Sequence, residues 1–595
     1  MRQELAALRR EMKKEGIDAY LILSGDDHGS EYVHPYYQTR AFVSGFTGSA
    51  GTLLVTGKEA WLWTDGRYFL QAEKELEGAG ITLQKAGHEG VPTLQERISA
   101  LAAEQPITLG FDGRTVPCAL GGLLAGLLRE SGSRICEDKD LADRIWPDRP
   151  AIVPSAIEPL SLQVTGRSFQ QKRTAVLAAM NKARADYILL TDLTQTAWLF
   201  NLRGRDVACT PVFFAYALLS NRETVLYVME PEKTKAHLKE RLGEDGLQQA
   251  FPDVRIAGYH EVEKELAELP RDSFLAVDPA TMNDRLMHSV GAGVHKLQGL
   301  APIPLMKAVK NPVEIESTLQ AHKKDGLAMV RFLCRLKEQI GKVPLTEISA
   351  AEQLDQERRK AGAYELSFPT IAGYGPHGAI IHYQAAPETD VPLRPEGFLL
   401  IDSGGQYPQG TTDITRTIVL GPLSEKEKAC YTYVLKSHIA LASAVFAPGT
   451  TGRALDEIAR APLHALGLDF EHGTGHGIGH LLSVHEGPNI ISRRGADTAI
   501  VPGMITSDEP GVYLENEFGI RLENEILCEA CGEAYGFRPI TFCPFEREAV
   551  VTSLLTEEER QWLDAYHAMV WETLADDLAP AEQAWLRAQT APLED

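Results

Sequence analysis

The chain has 595 residues, of which 44% are hydrophobic and 24% charged, as expected for a globular protein with several domains. Its 59 Lys and Arg against 82 Asp and Glu give a formal charge of −23. That charge disfavours nucleic acid and anionic membranes as partners, because phosphate binding requires clustered positive charge. The longest apolar run, residues 116–128, is too short to span a bilayer, which takes about 18 residues or more.

The N-terminus and the cysteines indicate a cytoplasmic protein. Residues 1–14 carry charges throughout and lack the apolar core of a secretory signal peptide. The eight cysteines are spread thinly along the chain, which is typical of reduced thiols and not of a disulfide framework. Cys528 and Cys531 form a Cys-x-x-Cys pair, but the second pair that a zinc ribbon needs is missing.

Two proline-rich passages, residues 147–159 and 302–304, predict linkers, since proline can continue neither a helix nor a strand ladder. They divide the chain into three parts, 1–160, 161–307 and 308–595. The third part opens with Asn311, Pro312 and Glu314, which suit the cap, the first position and the third position of a helix. The apolar pattern extends this helix through Leu336.

The first two parts read as diverged copies of one unit. Each begins with an amphipathic helical stretch, at residues 1–14 and 168–184, and continues with an apolar strand, at 18–23 and 185–190. Later strands, 60–63 and 224–228, follow in step. Alternating helices and strands favour an α/β fold for both parts. A weaker echo, 346–382 against 451–485, suggests pseudo-twofold symmetry in the third part, with a site between its halves.

Acidic residues follow predicted strands in the third part. The strand 398–401 ends at Asp402, a turn-rich segment 403–410 follows, and a second strand then carries Asp413. In a hairpin, these two carboxylates would lie opposite each other on one face.

Further downstream, Glu509 ends the segment 504–509, and an alternating strand at 519–526 places Arg521, Glu523 and Glu525 on one face. A segment rich in Gly and His, 472–480, lies between the two acidic pairs. Carboxylates that converge in a partly dry site raise one another's pKa, and divalent cations remove this cost. Oxygen ligands with one or two imidazoles suit Mn²⁺ or similarly hard ions better than structural zinc. The His-Glu-x-x-His motif of helical zinc proteases is absent from the sequence.

Five of these side chains, in this order, resemble the ligands of the dinuclear metallopeptidases with the pita-bread fold: Asp402, Asp413, His476, Glu509 and Glu523. The phrases 413–417, 472–477 and 508–511 carry the same resemblance. Within that group, the chain is similar to the cytosolic three-domain Xaa-Pro aminopeptidases. Further matches lie at 40–51, 63–70 and 379–383, so the resemblance covers nearly the whole chain.

The resemblance implies two creatinase-like α/β domains followed by a C-terminal pita-bread domain of the α+β class, with peptides that carry proline at the second position as substrates. It implies two divalent ions, Mn²⁺ first, with Co²⁺ or Zn²⁺ as alternatives. Asp402 would bind one ion, His476 and Glu509 the other, and Asp413 with Glu523 would bridge both. Four carboxylates would balance two dications, and a shared water that loses a proton would attack the peptide carbonyl.

Outside the ligand set, His382, His472 and His485 occupy positions that resemble the outer histidines of the family, and they are candidates for proton transfer and substrate binding. Glu509 is a candidate catalytic residue as well as a ligand. Tyr513 and Arg521 would support the site and the bound substrate, with Arg521 orienting Glu523 through charge-assisted hydrogen bonds, and Glu31 would bind the substrate amine. The remaining histidines of the Gly-rich segments, His377 and His480, match no catalytic position, and we expect hydrogen-bonded structural roles for them.

Two other functions stay open at this stage. A prolidase-like dipeptidase shares the metal set but accepts only dipeptides, and the length and the repeated N-terminal units favour the aminopeptidase. A non-catalytic pseudo-peptidase would use the fold to bind peptides or proteins, but such relatives lack the ligands that this chain has. Methionine aminopeptidases lack the two preceding units. The segment 555–585 predicts terminal amphipathic helices that cover the domain or meet another subunit, and we expect a homodimer.

Overall fold

A computed structural model provides the structure of the chain and describes residues 2–66, 68–495 and 497–593. Arg67, which belongs to the motif at 63–70, lies outside the described residues. The chain divides into two compact units. One contains Met1–Leu160 with Arg167–Ile303, and the other contains Ser161–Gly166 with Pro304–Asp595. The first unit thus holds most of both predicted N-terminal parts, and the boundaries at 160 and 307 remain predictions.

The first unit contains two six-stranded sheets with the same arrangement. The strands of one lie in the order Thr82–Lys85, Ala60–Thr64, Thr52–Thr56, Ala19–Leu23, Thr108–Gly110 and Arg134–Cys136. The strands of the other lie in the order Val254–Gly258, Thr224–Val228, Ala215–Ser220, Tyr187–Leu190, Phe274–Val277 and His295–Gln298. In both, successive pairs are parallel, antiparallel, antiparallel, parallel and parallel. This agreement confirms the predicted duplication.

Helices connect these strands. With the first sheet they are Gln3–Glu15, Thr39–Ser44, Phe69–Glu75, Leu94–Glu104 and Cys118–Leu128; with the second they are Phe169–Ala183, Leu193–Phe200, Pro231–Leu242, Glu244–Ala250, Glu261–Glu268 and Asp284–Ser289. The first helix buries Leu5, Leu8 and Met12, which share one face at helical spacing, and it ends at Gly16 with φ of 66°. The proline pair at 302–304 does not form an open linker. It opens the helix Pro302–Ala308, whose first turn tolerates proline.

The second unit is built from antiparallel strands. In one four-stranded sheet, Phe398–Tyr407 pairs with Glu365–Tyr374, Gly410–Thr411 and Ile414–Val419. In the other, the order is Val445–Phe446, Ala534–Pro539, Asn524–Cys531 and Ile505–Asp508. Two smaller pairs join Gly475–His476 to Ile490–Ile491 and Gly511–Leu514 to Phe518–Arg521. The α/β and α+β classes are therefore confirmed.

Six helices of eight residues or more lie in the described part of this unit: Pro312–Gln339, Glu347–Lys360, Glu425–Ala442, Gly452–His464, Glu557–Leu574 and Pro580–Gln589. The predicted cap at Asn311 is confirmed, because its side chain accepts from the backbone N–H of Val313 and Glu314 while Glu314 accepts from that of Asn311. Among residues 2–66, 68–495 and 497–593, no helix combines the length and the apolar character that crossing a membrane requires.

The hairpin that carries Asp402 differs from the prediction. The strand does not end at Asp402 but runs to Tyr407, and the chain turns between Tyr407 and Gly410. Gly404, which suggested a turn, lies inside the strand. Glycine is required at this position because the neighbouring residues leave no space for a side chain. A Cβ atom there would lie 1.9 Å from the Thr412 carbonyl oxygen and 2.2 Å from Ser367 Oγ.

The predicted continuous strand 519–526 is also wrong. Phe518–Arg521 and Asn524–Cys531 are separate strands with different partners, and Leu522 and Glu523 lie between them. At this point the Glu523 N–H donates to the Thr415 carbonyl oxygen at 3.1 Å. Alternation of side chains could not reveal this change of partner, because buried residues continue through both strands.

Replacing Gly404 with Ala should destabilise the protein by about 3 kcal/mol, since the added methyl group overlaps atoms of the neighbouring strands. The free energy of unfolding in urea, followed by tryptophan fluorescence, measures the effect. Gly122→Ala is the matched control, because no atom lies within 4 Å of a Cβ at this helical position. Equal stability of the two variants would contradict the assigned packing.

Candidate metal centre

The five predicted ligands converge in the second unit. The potential ligand atoms of Asp402, Asp413 and Glu523 lie within 4.8 Å of one another, and so do those of His476, Glu509 and Glu523. Asp413 forms a third such group with His476 and His485. Because Asp413, His476 and Glu523 each belong to two groups, the side chains form one continuous cluster.

The four-stranded sheet that contains Phe398–Tyr407 positions the two aspartates. Asp402 lies in the middle of Phe398–Tyr407, opposite Thr415 in the register, and Asp413 directly precedes the strand Ile414–Val419. The Asp413 N–H donates to Glu525 Oε1 at 2.8 Å. The residue directly opposite Asp402 is Thr415. Asp413 lies two residues before Thr415, so it is a diagonal neighbour of Asp402 and not the directly opposite residue that the sequence predicted.

Hydroxyl groups orient the two glutamates. Glu509 follows the strand Ile505–Asp508; its N–H donates to the Thr474 carbonyl oxygen at 2.8 Å, and its Oε1 accepts from Ser507 Oγ at 3.1 Å. Glu523 Oε2 accepts from Thr415 Oγ1 at 2.7 Å. In each glutamate, one carboxylate oxygen accepts the hydrogen bond that holds the side chain in position.

The imidazole of His476 presents Nε2 to the cluster. Its Nδ1 lies 3.1 Å from the Gly477 carbonyl oxygen and donates to it, so Nε2 carries the lone pair. That nitrogen is 3.5 Å from Asp413 Oδ2 and 3.4 Å from Glu509 Oε1. Burial, and next the neighbouring His485, lower the pKa of His476 to about 3, which keeps the ring neutral.

The acidic side chains are not compensated by protein groups alone. Burial and the neighbouring carboxylates raise the pKa of Asp413 and Glu523 well above ordinary values, and burial first of all raises that of Glu509 to about 7. Asp402 Oδ1 and Asp413 Oδ1 are buried and accept no hydrogen bond. Oxygens of this kind, beside a neutral imidazole, fit a site for hard divalent cations.

A hydrogen-bonded chain extends from Asp402 to His472. The carboxylate that Arg521 orients is Asp402 and not the predicted Glu523: Arg521 Nη2 donates to Asp402 Oδ2 at 2.6 Å, and Nη1 donates to the Tyr513 hydroxyl at 2.8 Å. That hydroxyl lies 2.8 Å from His472 Nε2 and donates to it, because His472 Nδ1 donates to the Gly473 carbonyl oxygen at 2.8 Å. Burial, and next the charge of Arg521, lower the pKa of His472 to about 3.

The other candidate residues differ in location. His485 is exposed, with its ring centroid 4.5 Å from that of His476. His382 is also exposed, and its charge makes a smaller contribution to the low pKa of His472. Glu31 is an exposed residue of the first unit, and its predicted contact with the substrate amine remains a prediction.

The two unassigned histidines are hydrogen bonded, in agreement with the structural roles expected for them. His480 is buried, with Nδ1 3.0 Å from Thr318 Oγ1 and Nε2 3.0 Å from the Val164 carbonyl oxygen. His377 Nδ1 lies 2.9 Å from Glu347 Oε1.

Several supporting residues escaped the sequence interpretation. Thr415 and Ser507 orient the predicted ligands Glu523 and Glu509 through short hydroxyl side chains, and such residues give no distinctive pattern in a sequence. Glu525 was placed on the face of Glu523 but received no role; it holds the Asp413 backbone, and its Oε2 lies 3.0 Å from His322 Nε2. Its period-two spacing from Glu523 was the available signal.

Comparisons with known families divide the chain into four stretches. The model of metallopeptidase family M24 matches residues 316–530, and that of its C-terminal region matches 533–593. Two models of the creatinase/prolidase N-terminal domain match residues 4–140 and 148–314.

Full-length relatives agree with these matches. The chain is 37% identical over 622 residues to a probable Xaa-Pro aminopeptidase P of Coprinopsis cinerea, covering 99% of this chain and 98% of the relative. A protein of the same name from Coccidioides posadasii is 38% identical, with 99% of both chains covered.

Solved structures extend the comparison to the fold. An X-prolyl aminopeptidase from Caenorhabditis elegans, described as a cytosolic enzyme with a di-nuclear active site, is 31% identical with a TM-score of 0.91, and 99% of each chain is covered. A dipeptidase from Mycobacterium ulcerans, 26% identical with a TM-score of 0.52, covers 64% of this chain and 97% of its own. The chain belongs to metallopeptidase family M24, among the proteins of the Xaa-Pro aminopeptidase P type.

Proposed function

We propose that this protein is a metal-dependent aminopeptidase that hydrolyses the bond between an N-terminal residue and a following proline. The observation that carries the proposal is the buried cluster of Asp402, Asp413 and Glu523, with carboxylate oxygens that lack hydrogen-bond donors. The full-length similarity to Xaa-Pro aminopeptidases of fungi and a nematode supports the substrate class. When bound, a pair of divalent cations lowers the pKa of a water molecule and polarises the carbonyl group of a peptide.

The five proposed ligands are shared between two cations. Asp402 would hold one cation, His476 and Glu509 the other, and Asp413 with Glu523 would contact both. Four ionised carboxylates balance two dications, which removes the mutual repulsion that raises their pKa values. Mn²⁺ is the proposed metal, because oxygen ligands outnumber the imidazole and no thiolate takes part; Co²⁺ and Zn²⁺ are the alternatives.

The surrounding residues have separate roles. Arg521 orients Asp402, and Tyr513 links that guanidinium to His472, so His472 acts mainly by orientation although it borders the site. His382 and His485 are exposed, and they would stabilise charge on the substrate carbonyl or move a proton to the leaving proline nitrogen. Glu509 would contribute to proton transfer in addition to holding a cation.

Three features of the proposal concern the protein in the cell. The nematode relative is described as cytosolic, which supports a cytoplasmic location here. A homodimer is expected from the sequence interpretation. The favoured substrates are peptides longer than two residues, since the M. ulcerans dipeptidase corresponds to only 64% of this chain.

Cleavage of defined peptides tests the function. With Mn²⁺ added, the protein should release arginine from Arg-Pro-Pro and should leave an Arg-Ala-Ala control intact. A dipeptidase should cleave Arg-Pro and not the tripeptide, and a pseudo-peptidase should cleave neither. Amino-acid release, followed by chromatography against a metal-free sample, decides among the three.

Replacing Asp413 or Glu523 with Ala should abolish turnover and lower the bound metal, because each carboxylate is proposed to contact two ions. Metal content by mass spectrometry and hydrolysis of Arg-Pro-Pro provide the two measurements. Asp413→Asn is the control for side-chain volume, since it keeps the shape but loses the charge, and it should behave like the Ala variant. Full activity of any of these variants would refute the ligand assignment.

His485→Ala should reduce turnover between about 10²-fold and 10⁴-fold, as expected for the loss of proton transfer, while the metal content stays close to that of the wild type. Metal analysis and kcat on the same preparation measure both quantities. Because His485 also forms a potential ligand group with Asp413 and His476, a large loss of metal would instead identify it as a ligand.

A further inference from the structure

The loop that leads to His382 is fastened to one buried carboxylate. Glu347, the first residue of the helix Glu347–Lys360, has no exposed surface. Its Oε1 accepts from the Tyr374 N–H at 2.7 Å and from His377 Nδ1 at 2.9 Å, and its Oε2 accepts from the Tyr383 hydroxyl at 2.9 Å. These donors come from the start, the middle and the end of the segment 374–383.

Ring packing and a close backbone approach tighten the same loop. The rings of His377 and Tyr383 stack, with centroids 4.4 Å apart and an interplanar angle of 29°. Gly378 lies directly against Gly519, where an added Cβ would be 1.7 Å from the Gly378 carbonyl oxygen. Gly519 belongs to the strand that ends at Arg521, and Arg521 donates to Asp402. The loop therefore packs directly on the strand that orients Asp402.

His382 directly precedes Tyr383, the last anchor of this arrangement. The Tyr383 hydroxyl also lies 3.2 Å from Thr389 Oγ1, which leaves its ring little freedom. The His382 side chain itself is exposed. Because Tyr383 is anchored by Glu347 and Thr389, the backbone next to His382 is fixed, and this limits where the imidazole can lie.

We propose that the clamp formed by Glu347, His377 and Tyr383 positions His382 for catalysis, and that His377 is a positioning residue of the enzyme. This inference rests on the proposed function, because it gives His382 a role in peptide hydrolysis. Loss of the His377 imidazole removes a donor from a buried carboxylate and the stacking partner of Tyr383, so the end of the loop gains freedom. Misplacing a catalytic group by about 1 Å can cost 10²-fold in rate.

Kinetics of matched variants test the proposal. His377→Ala should lower kcat for Arg-Pro-Pro by about tenfold to a hundredfold, with the metal content unchanged. His377→Asn should recover most of this loss, since the side-chain amide can donate to Glu347 from nearly the position of Nδ1. Tyr383→Phe, which keeps the stacked ring but loses the hydroxyl, should give a smaller decrease than His377→Ala. A lowered metal content, or equal loss in the Ala and Asn variants, would overturn the proposal.

A double-mutant cycle separates positioning from general support of the fold. If His377 acts through His382, His377→Ala should have no further effect on kcat in a His382→Ala background. A decrease by the same factor in both backgrounds would show that His377 acts elsewhere, and the proposal would fail.

Crystal structures of the wild type and of His377→Ala give a readout that needs no activity. We expect well-defined density for the His382 ring in the wild type and a displaced or disordered ring in the variant. An unchanged ring in the variant would overturn the clamp. A wild-type protein that fails to cleave Arg-Pro-Pro would overturn the proposed function alone, and the crystallographic comparison would still decide the clamp.

Discussion

Mutual repulsion among buried carboxylates is the constraint on which the second unit depends. Asp402, Asp413, Glu509 and Glu523 converge from four segments of chain, and burial makes their simultaneous ionisation expensive. Arg521 compensates Asp402, whereas the hydrogen bonds of Asp413 with Glu525 and of Glu523 with Thr415 bring no positive charge. Divalent cations bound at the proposed site would therefore contribute to the stability of the fold as well as to chemistry.

Hydrogen bonds from hydroxyl groups and through the backbone hold the acidic residues in place. Thr415 fixes Glu523 through both its hydroxyl and its carbonyl group, and Glu525 holds the Asp413 backbone from a different sheet. Each such contact uses one oxygen or one amide and leaves other carboxylate oxygens uncommitted. Glu523 lies between the strands Phe518–Arg521 and Asn524–Cys531, which pair with different partners. This break in the ladder leaves the Glu523 backbone available to bond to Thr415, so the side chain is preorganised.

Internal duplication organises the first compact unit, in which two sheets have the same strand order. In the second unit, one half supplies Asp402 and Asp413, and the other supplies His476, Glu509 and Glu523. A site that draws its proposed ligands from both halves would require both to be folded. The clamp at Glu347 also joins separate segments, because it connects the loop before His382 to the start of the helix Glu347–Lys360.

Local patterns in the sequence determined the class of the fold and the identity of the acidic cluster. The helix after Asn311 and the repeated strands of the first unit were predictable, because capping and apolar periodicity are properties of neighbouring residues. The convergence of the five predicted ligands was expected from the resemblance of their order to a known family. The extension of the strand through Gly404 and the break at Glu523 were not predictable. Both depend on atoms from distant segments, Thr412 and Ser367 in one case and Thr415 in the other, and only the tertiary structure brings those atoms together.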